Sequence, residues 1–140
     1  MIVLGIDTAS MQVGCALGGA EGVLASFQSA HGRRHAEVLA PAIQFISQQA
    51  GIALGQVGVV AVDTGPGLFT GLRVGVATAK AMAQALRVPM IGLSSLDLLA
   101  HPDVADAAVV GLPSRKWDER PVAVVRRYSG RFTPPGSRDT

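Results

Sequence analysis

Residues 57–75 read VGVVAVDTGPGLFTGLRVG, and this segment changes from one structural periodicity to another. The apolar run Val57 to Val62 is typical of a buried strand, and it leads into the turn residues Asp63 to Gly67. From Leu72 to Leu86 the sequence is rich in alanine, with apolar residues at helical spacing. The segment therefore predicts a strand, a glycine-rich connection and a helix.

Upstream of this segment the pattern predicts three strands and one helix. Short β-type runs at 2–6, 13–17 and 23–27 are joined by tight connections, which favours an antiparallel meander. Apolar residues then recur every three or four positions, as in an amphipathic helix: Val38, Leu39, Ala42, Ile43, Phe45 and Ile46. Pro41 lies inside this predicted helix and is expected to kink it or to mark its start, and Gly51 is a natural stop.

Downstream, Val88 to Leu93 predicts a further strand, and Ser94 or Ser95 can cap a short helix that runs to Leu99. The predicted order β-β-β-α-β-α-β-α is an α/β class in which helices pack on a mixed sheet. The composition changes near residues 101–102. We therefore expect a domain over 1–99, an atypical tail over 100–127 and a disordered terminus over 128–140, which is rich in Gly, Pro, Ser and Arg.

The composition excludes several classes of protein. Hydrophobic residues make up 49% of the 140 residues and charged residues 16%, which argues against intrinsic disorder. We find no apolar run long enough to span a bilayer and no secretory signal at the N-terminus. The single Cys15 rules out an intrachain disulfide framework, so a reduced, cytoplasmic setting is expected.

The charge balance differs between the two parts of the chain. Residues 1–99 contain five Lys or Arg and five Asp or Glu, whereas residues 100–140 contain seven and five. A neutral first segment gives no electrostatic case for direct binding of nucleic acid. The scattered cations of the tail are typical of a solvated surface.

The glycine-rich connection is the first candidate site. Gly65, Gly67, Thr70 and Gly71 stand between a predicted strand and a predicted helix, where backbone N–H groups favour an anion. The segment lacks the Gly-Lys-Ser/Thr ending of a P-loop and the spacing of a dinucleotide fingerprint. A phosphate site and a tight turn with a close helix–sheet contact therefore both stay open.

Other polar residues give weaker indications of a binding, metal or catalytic site. Asp7 and Thr8 end the first strand, where they could hold hydrated Mg²⁺ and phosphate or simply form a turn. His31 and His35 are four residues apart, but without a third ligand a polar helix entry is favoured over a metal site. Ser94-Ser95 has no His or acid at a telling distance in the sequence, so it does not indicate a catalytic serine.

Four segments match the motifs of a known family and occur in the same order along the chain: 5–10, 35–41, 65–75 and 88–96. Together they resemble the N-terminal lobe of the TsaB (YeaZ) family. The resemblance implies a ribonuclease-H-like, actin-like ATPase (ASKHA) lobe. It also implies a non-catalytic scaffold subunit in tRNA threonylcarbamoyladenosine biosynthesis. The implied partner is the catalytic subunit TsaD, and through it a TsaE-like ATPase and tRNA.

The resemblance also implies which residues would act. Pairing would use helices near 35–50 and 72–86, with His35, Val38, Leu39, Ala42, Ile43, Ile46, Arg73, Val76 and Lys80 as interface candidates. A homodimer is a second implied assembly. The resemblance implies no firm cofactor. If ATP or ADP with Mg²⁺ binds weakly, the residues that contact it would be Asp7, Thr8 and those of the glycine-rich connection. The metal-binding His pair of TsaD-like enzymes corresponds here to Ser95 and Leu99, which implies a metal-free paralogue.

Residues 98–125 resemble a different family, the C-terminal domain of adenylate-forming acyl-CoA synthetases. The catalytic lysine of that domain lies in a segment beyond the resemblance, so no adenylating chemistry is implied. We therefore expect a truncated, chimeric chain. Two alternatives stay open, namely a small actin-like nucleotide-binding phosphotransferase and an inactive fragment of an acyl-CoA synthetase fusion.

Overall fold

The computed structural model describes residues 1–30, 34–100, 104–113 and 119–127. Expectations that concern His31, the composition change at 101–102 and the terminus from residue 128 onward lie outside these ranges. The described residues belong to two compact units, Met1–Ser95 and Leu96–Thr140, and each is described by itself.

The predicted order of strands and helices is confirmed. The elements are β1 Ile2–Asp7, β2 Val13–Gly19, β3 Gly22–Ser29, α1 His35–Ala50, a 3₁₀ turn Leu54–Gln56, β4 Val57–Asp63, α2 Phe69–Leu86, β5 Met90–Leu93 and α3 Ser95–Ala100, followed by β6 Val104–Pro113 and β7 Glu119–Arg127. Helix α2 begins three residues earlier than predicted. Thr70 and Gly71 therefore lie in its first turn and not in the connection before it.

The first unit contains a mixed five-stranded sheet with the order β3-β2-β1-β4-β5. Strands β1, β2 and β3 form the predicted antiparallel meander, whereas β4 runs parallel to both β1 and β5. Ile6 pairs with Val62, so the next residues along these strands, Asp7 and Asp63, end side by side at one edge of the sheet.

The core lies between one face of this sheet and the two long helices. The sheet contributes aligned aliphatic residues from β1, β2 and β4, and α1 contributes Leu39, Ala42, Ile43 and Ile46. The buried stripe of α2 consists of small residues four positions apart: Gly71, Gly75, Ala79 and Ala83. Because these residues are small, α2 can approach the sheet closely. Phe45, which belongs to the apolar pattern predicted for this helix, lies off the buried stripe and is 50% exposed.

Local signals predicted several details of the first unit. Helix α1 ends at Gly51, whose φ of 65° is the left-handed conformation that glycine favours, and its N–H donates to the Gln48 carbonyl oxygen. The helix runs through Pro41, which lies on its exposed side. Cys15 is buried in β2, and its burial raises the pKa of the thiol to about 11.

In the second unit, β6 and β7 pair with each other as an antiparallel two-stranded sheet. Val109 pairs with Ala123 and Val110 with Val122, so the apolar centres of the two strands are in register. Within the part of the chain that the structure describes, no helix is long and apolar enough to span a membrane.

Candidate functional site

The candidate site lies at the edge of the sheet where β1 and β4 end. It combines the loop after β1, the connection between β4 and α2, and the first residue of α3. All of these residues belong to the first unit. The carboxyl ends of parallel strands are the usual location of binding sites in open α/β sheets.

Three glycines bring α2 against the loop that follows β1. A Cβ atom on Gly67 would overlap the Ala9 carbonyl oxygen, and one on Gly71 would overlap the Thr8 carbonyl oxygen. At Gly75 the added atom would overlap the Thr8 side-chain oxygen. Of the two interpretations that the spacing left open, the close contact is therefore observed.

Hydrogen bonds reinforce this contact. The fully buried Thr8 hydroxyl donates to the Gly71 carbonyl oxygen at 2.7 Å, and the Leu68 N–H donates to the Ala9 carbonyl oxygen at 2.6 Å. In this structure the Thr8 hydroxyl therefore already has its hydrogen-bond acceptor in α2. Binding of ATP or ADP with Mg²⁺ at Asp7, Thr8, Gly65, Gly67, Thr70 and Gly71 stays a prediction.

Asp63 forms hydrogen bonds at the start of the connection between β4 and α2. The sequence did not indicate it as a site residue. Its Oδ1 atom accepts the Gly65 N–H at 2.7 Å and the Ser95 hydroxyl at 2.6 Å. The Ser95 N–H in turn donates to the Gly65 carbonyl oxygen at 2.9 Å. A buried carboxylate needs such partners, since an unpaired one would be strongly destabilising. The carboxylate that accepts the Ser95 hydroxyl is therefore 32 positions away in the sequence.

Asp7 stands beside Asp63 but has a different environment. Asp7 keeps exposed surface, but desolvation of its carboxyl by the surrounding atoms raises the pKa of that group. The Ala9 N–H that donates to its Oδ1 lowers the pKa, and the nearby Asp63 charge raises it again. The net direction is upward. Among the described residues, no group of three His, Cys, Asp or Glu side chains is placed to hold a metal ion.

His35 connects the start of α1 to the same loop. Its ring is buried, and Nε2–H donates to the Ser10 carbonyl oxygen at 3.0 Å. The ring also lies beside the position that a Cβ on Gly71 would occupy. His35 therefore joins α1, the loop after β1 and α2 within one unit.

The structure divides the interface candidates into two groups. Leu39, Ala42, Ile43 and Ile46 are buried in the lobe's own core, and His35 is buried as just described. In this structure these side chains pack inside the lobe, and their contribution to a partner interface stays a prediction. Val38 and Val76 are half-buried, and Arg73 and Lys80 are exposed. Pairing through the two helices stays a prediction.

Helix α2 begins with an exposed aromatic side chain. Phe69, the first residue of α2, is 73% exposed, and the Arg73 guanidinium lies over its ring at 5.3 Å from the ring centre. Helix α2 contains Arg73 and Lys80 but no acidic residue. Phe69 lies in the glycine-rich segment, but the sequence does not reveal its exposure because Phe is more often buried.

Comparisons with known proteins identify the family. A family model described as tRNA N6-adenosine threonylcarbamoyltransferase, TsaD, matches residues 23–113. The chain belongs to the TsaD family. Within this family it is TsaB/YeaZ-like. It is 36% identical over 101 residues to the tRNA threonylcarbamoyladenosine biosynthesis protein TsaB of Escherichia coli, a match that covers 72% of this chain and 43% of that protein.

Solved structures confirm the fold of this TsaB/YeaZ-like chain. YeaZ from Pseudomonas aeruginosa matches with a TM-score of 0.65 at 22% identity, over 96% of this chain and 70% of that one. RuvC from Thermus thermophilus matches with a TM-score of 0.51 at 12% identity, over 71% and 68%. The mixed ribonuclease-H-like α/β fold predicted from the sequence is therefore confirmed.

Two further findings concern the extent of the match. The chain spans about a third to a half of the length of the curated relatives that it matches. A second family model, the C-terminal domain of AMP-binding enzymes, matches residues 98–138. The resemblance of the tail to adenylate-forming enzymes is thus supported by an independent comparison.

The Asp63–Ser95 contact leads to a test of stability. We expect Ser95→Ala to lower the free energy of unfolding by about 1–2 kcal/mol, because the Asp63 carboxylate loses its hydroxyl donor. Urea denaturation followed by circular dichroism measures this change. Ser26→Ala, at an exposed position of β3, is the matched control and should change stability by less than about 0.5 kcal/mol. Equal midpoints for the two variants would contradict the expected contribution.

Proposed function

We propose that the first unit is the partner-binding lobe of a TsaB-type subunit in tRNA threonylcarbamoyladenosine biosynthesis. The subunit has no catalytic role of its own. It pairs with a TsaD-like catalytic subunit and acts through it with a TsaE-like ATPase on tRNA. The similarity to a TsaB named for this biosynthesis and the match to the TsaD family model support the proposal.

The observation that carries the partner-binding role is the exposed Phe69–Arg73 pair on α2. Aromatic and arginine side chains are the types that most often dominate the binding energy of protein interfaces. Phe69 exposes most of its surface, and Arg73 lies over its ring, so both are available in one defined arrangement. Phe45 adds a second exposed aromatic side chain on the neighbouring helix α1.

The site itself supports a non-catalytic role. The Thr8 hydroxyl donates to Gly71, and the Asp63 carboxylate accepts from Gly65 and Ser95, so both groups have internal partners. The carbonyl oxygens of Ala9 and Thr8 fill the space beside Gly67 and Gly71. The polar groups at this sheet edge thus stabilise the lobe, while the helix surface is left for recognition.

The pairing is tested by mixing the full chain with a bacterial TsaD and measuring the dissociation constant by calorimetry. We expect Phe69→Asp and Arg73→Glu each to raise the dissociation constant about tenfold or more, as for residues at the centre of an interface. Ala20→Asp, in the exposed turn between β2 and β3, adds the same charge as Phe69→Asp away from the helices and should leave it unchanged.

Two results would contradict the proposal. If Phe69→Asp and Arg73→Glu bind as tightly as the unchanged chain, the binding surface lies elsewhere. If the unchanged chain shows a folded circular dichroism spectrum but forms no complex, the partner-binding role of this lobe is wrong.

A further inference from the structure

The exposed side of α2 carries positive charge and no negative charge. Arg73 and Lys80 are exposed, and the helix, Phe69–Leu86, contains no Asp or Glu. The two cations are seven residues apart, which is close to two full turns, so they lie along one line of the helix at an axial separation of about 10.5 Å. We call these two residues the cationic row.

The charge of this row is not neutralised within the part of the chain that the structure describes. The ion pair found there joins Arg34 to Glu37 at the start of α1, away from the row. The Lys80 ammonium group has no hydrogen-bond or ion-pair partner among the described residues. The Arg73 guanidinium lies over the Phe69 ring, a contact that leaves its positive charge in place. Both charges are therefore available to an outside group.

The surroundings of the row favour a protein over a nucleic acid as that outside group. Phe69 stands at one end of it, and the exposed Ala77 lies between the two cations on the same side of the helix. An aromatic side chain beside an arginine is typical of protein interfaces, and a small alanine lets another surface come close between the charges. Residues 1–99 have equal numbers of basic and acidic side chains, so the lobe lacks the positive field that a phosphate backbone requires.

We infer that the cationic row recognises an acidic protein surface, in which one carboxylate meets Arg73 and another meets Lys80. The inference rests on the proposed function, because Arg73 belongs to the same surface, and it adds the chemistry of the partner. Complementary charges at an interface steer two proteins together before they touch, so their main effect is on the rate of association. Dissolved salt screens this attraction.

Lys80 allows a direct chemical test, because the sequence contains only one other lysine, Lys116. A water-soluble carbodiimide joins a lysine amine to a carboxylate as an amide when the two groups are in contact. It does not join an amine to an internal phosphodiester. We expect the full chain, mixed with a bacterial TsaD and treated in this way, to yield peptides in which Lys80 is linked to an Asp or Glu of the partner. Mass spectrometry of the digested complex identifies them.

The rate of association, followed by surface plasmon resonance, is the second measurement. Lys80→Gln and Ala20→Asp each lower the net charge by one unit, but only Lys80→Gln removes charge from the row. We expect Lys80→Gln to slow association about threefold at about 20 mM salt and to have no effect at about 0.5 M, where screening is nearly complete. Ala20→Asp should associate like the unchanged chain. Lys80→Arg should do the same, because it keeps the positive charge.

Three results would each overturn the inference and leave the proposed function intact. They are a complex that forms at the same rate at low and high salt, equal association rates for Lys80→Gln and Ala20→Asp, and a complex in which the carbodiimide links no partner carboxylate to Lys80. A folded chain that forms no complex would contradict the proposed function and the inference together. Binding of bacterial tRNA by the chain alone, weakened by Lys80→Gln, would assign the row to phosphate groups and would also overturn the inference.

Discussion

Leu39→Asp is expected to unfold the first unit, whereas Phe45→Asp on the same helix is expected to leave it folded. Leu39 is 1% exposed and packs in the core beneath α1. Truncating a buried leucine costs about 2–5 kcal/mol, and an unpaired carboxylate in the same place costs more. The expected loss is at least about 4 kcal/mol, which is comparable to the whole stability of a small domain.

Circular dichroism and urea denaturation of the two variants provide the measurement. Phe45 is 50% exposed, so we expect Phe45→Asp to change the free energy of unfolding by no more than about 1 kcal/mol. The pair separates core residues from surface residues on one helix. A Leu39→Asp chain that keeps its denaturation midpoint but no longer binds a TsaD-like partner would place Leu39 at the interface instead.

Gly71→Ala is expected to destabilise the unit by about 3 kcal/mol, although alanine normally favours a helix over glycine by about 1 kcal/mol. The new Cβ atom would overlap the Thr8 carbonyl oxygen, which is backbone and cannot rotate away. The overlap is relieved only if α2 moves off the sheet. That movement would also break the hydrogen bond from the Thr8 hydroxyl to Gly71.

The control for this variant is Gly55→Ala. A Cβ atom at Gly55 meets nothing within 4 Å, so the same chemical change should shift stability by less than about 0.5 kcal/mol. Urea midpoints of the two variants are compared directly. If both variants are as stable as the unchanged chain, then α2 does not lie as close to the loop after β1 as the structure places it.

Local patterns predicted the elements of the first unit and their order. The alternating apolar runs and tight connections before residue 30 predicted the antiparallel meander, and Gly51 marked the end of α1. These signals are short-range, since a strand, a turn or a helix end depends on neighbours within a few residues. The start of α2 was placed too late because Thr70 and Gly71 have low helix propensity, which tertiary packing overrides.

The roles of the site residues depend on contacts that the sequence does not display. The Thr8 hydroxyl bonds a residue 63 positions away, and Asp63 bonds Ser95 across 32 positions. Glycine spacing alone was equally compatible with a phosphate and with a close helix contact. Only the structure showed that the lobe's own backbone fills that space.

The sequence by itself determined that α1 has an apolar stripe, but the tertiary structure decided what covers it. Leu39, Ile43 and Ile46 have the same spacing whether a partner or the lobe's own sheet lies against them. In this chain the sheet buries them, and Phe45 on the same helix is left exposed. Periodicity shows only that one face of a helix is buried away from water. It does not specify which surface covers that face, because the burial of apolar surface is non-directional.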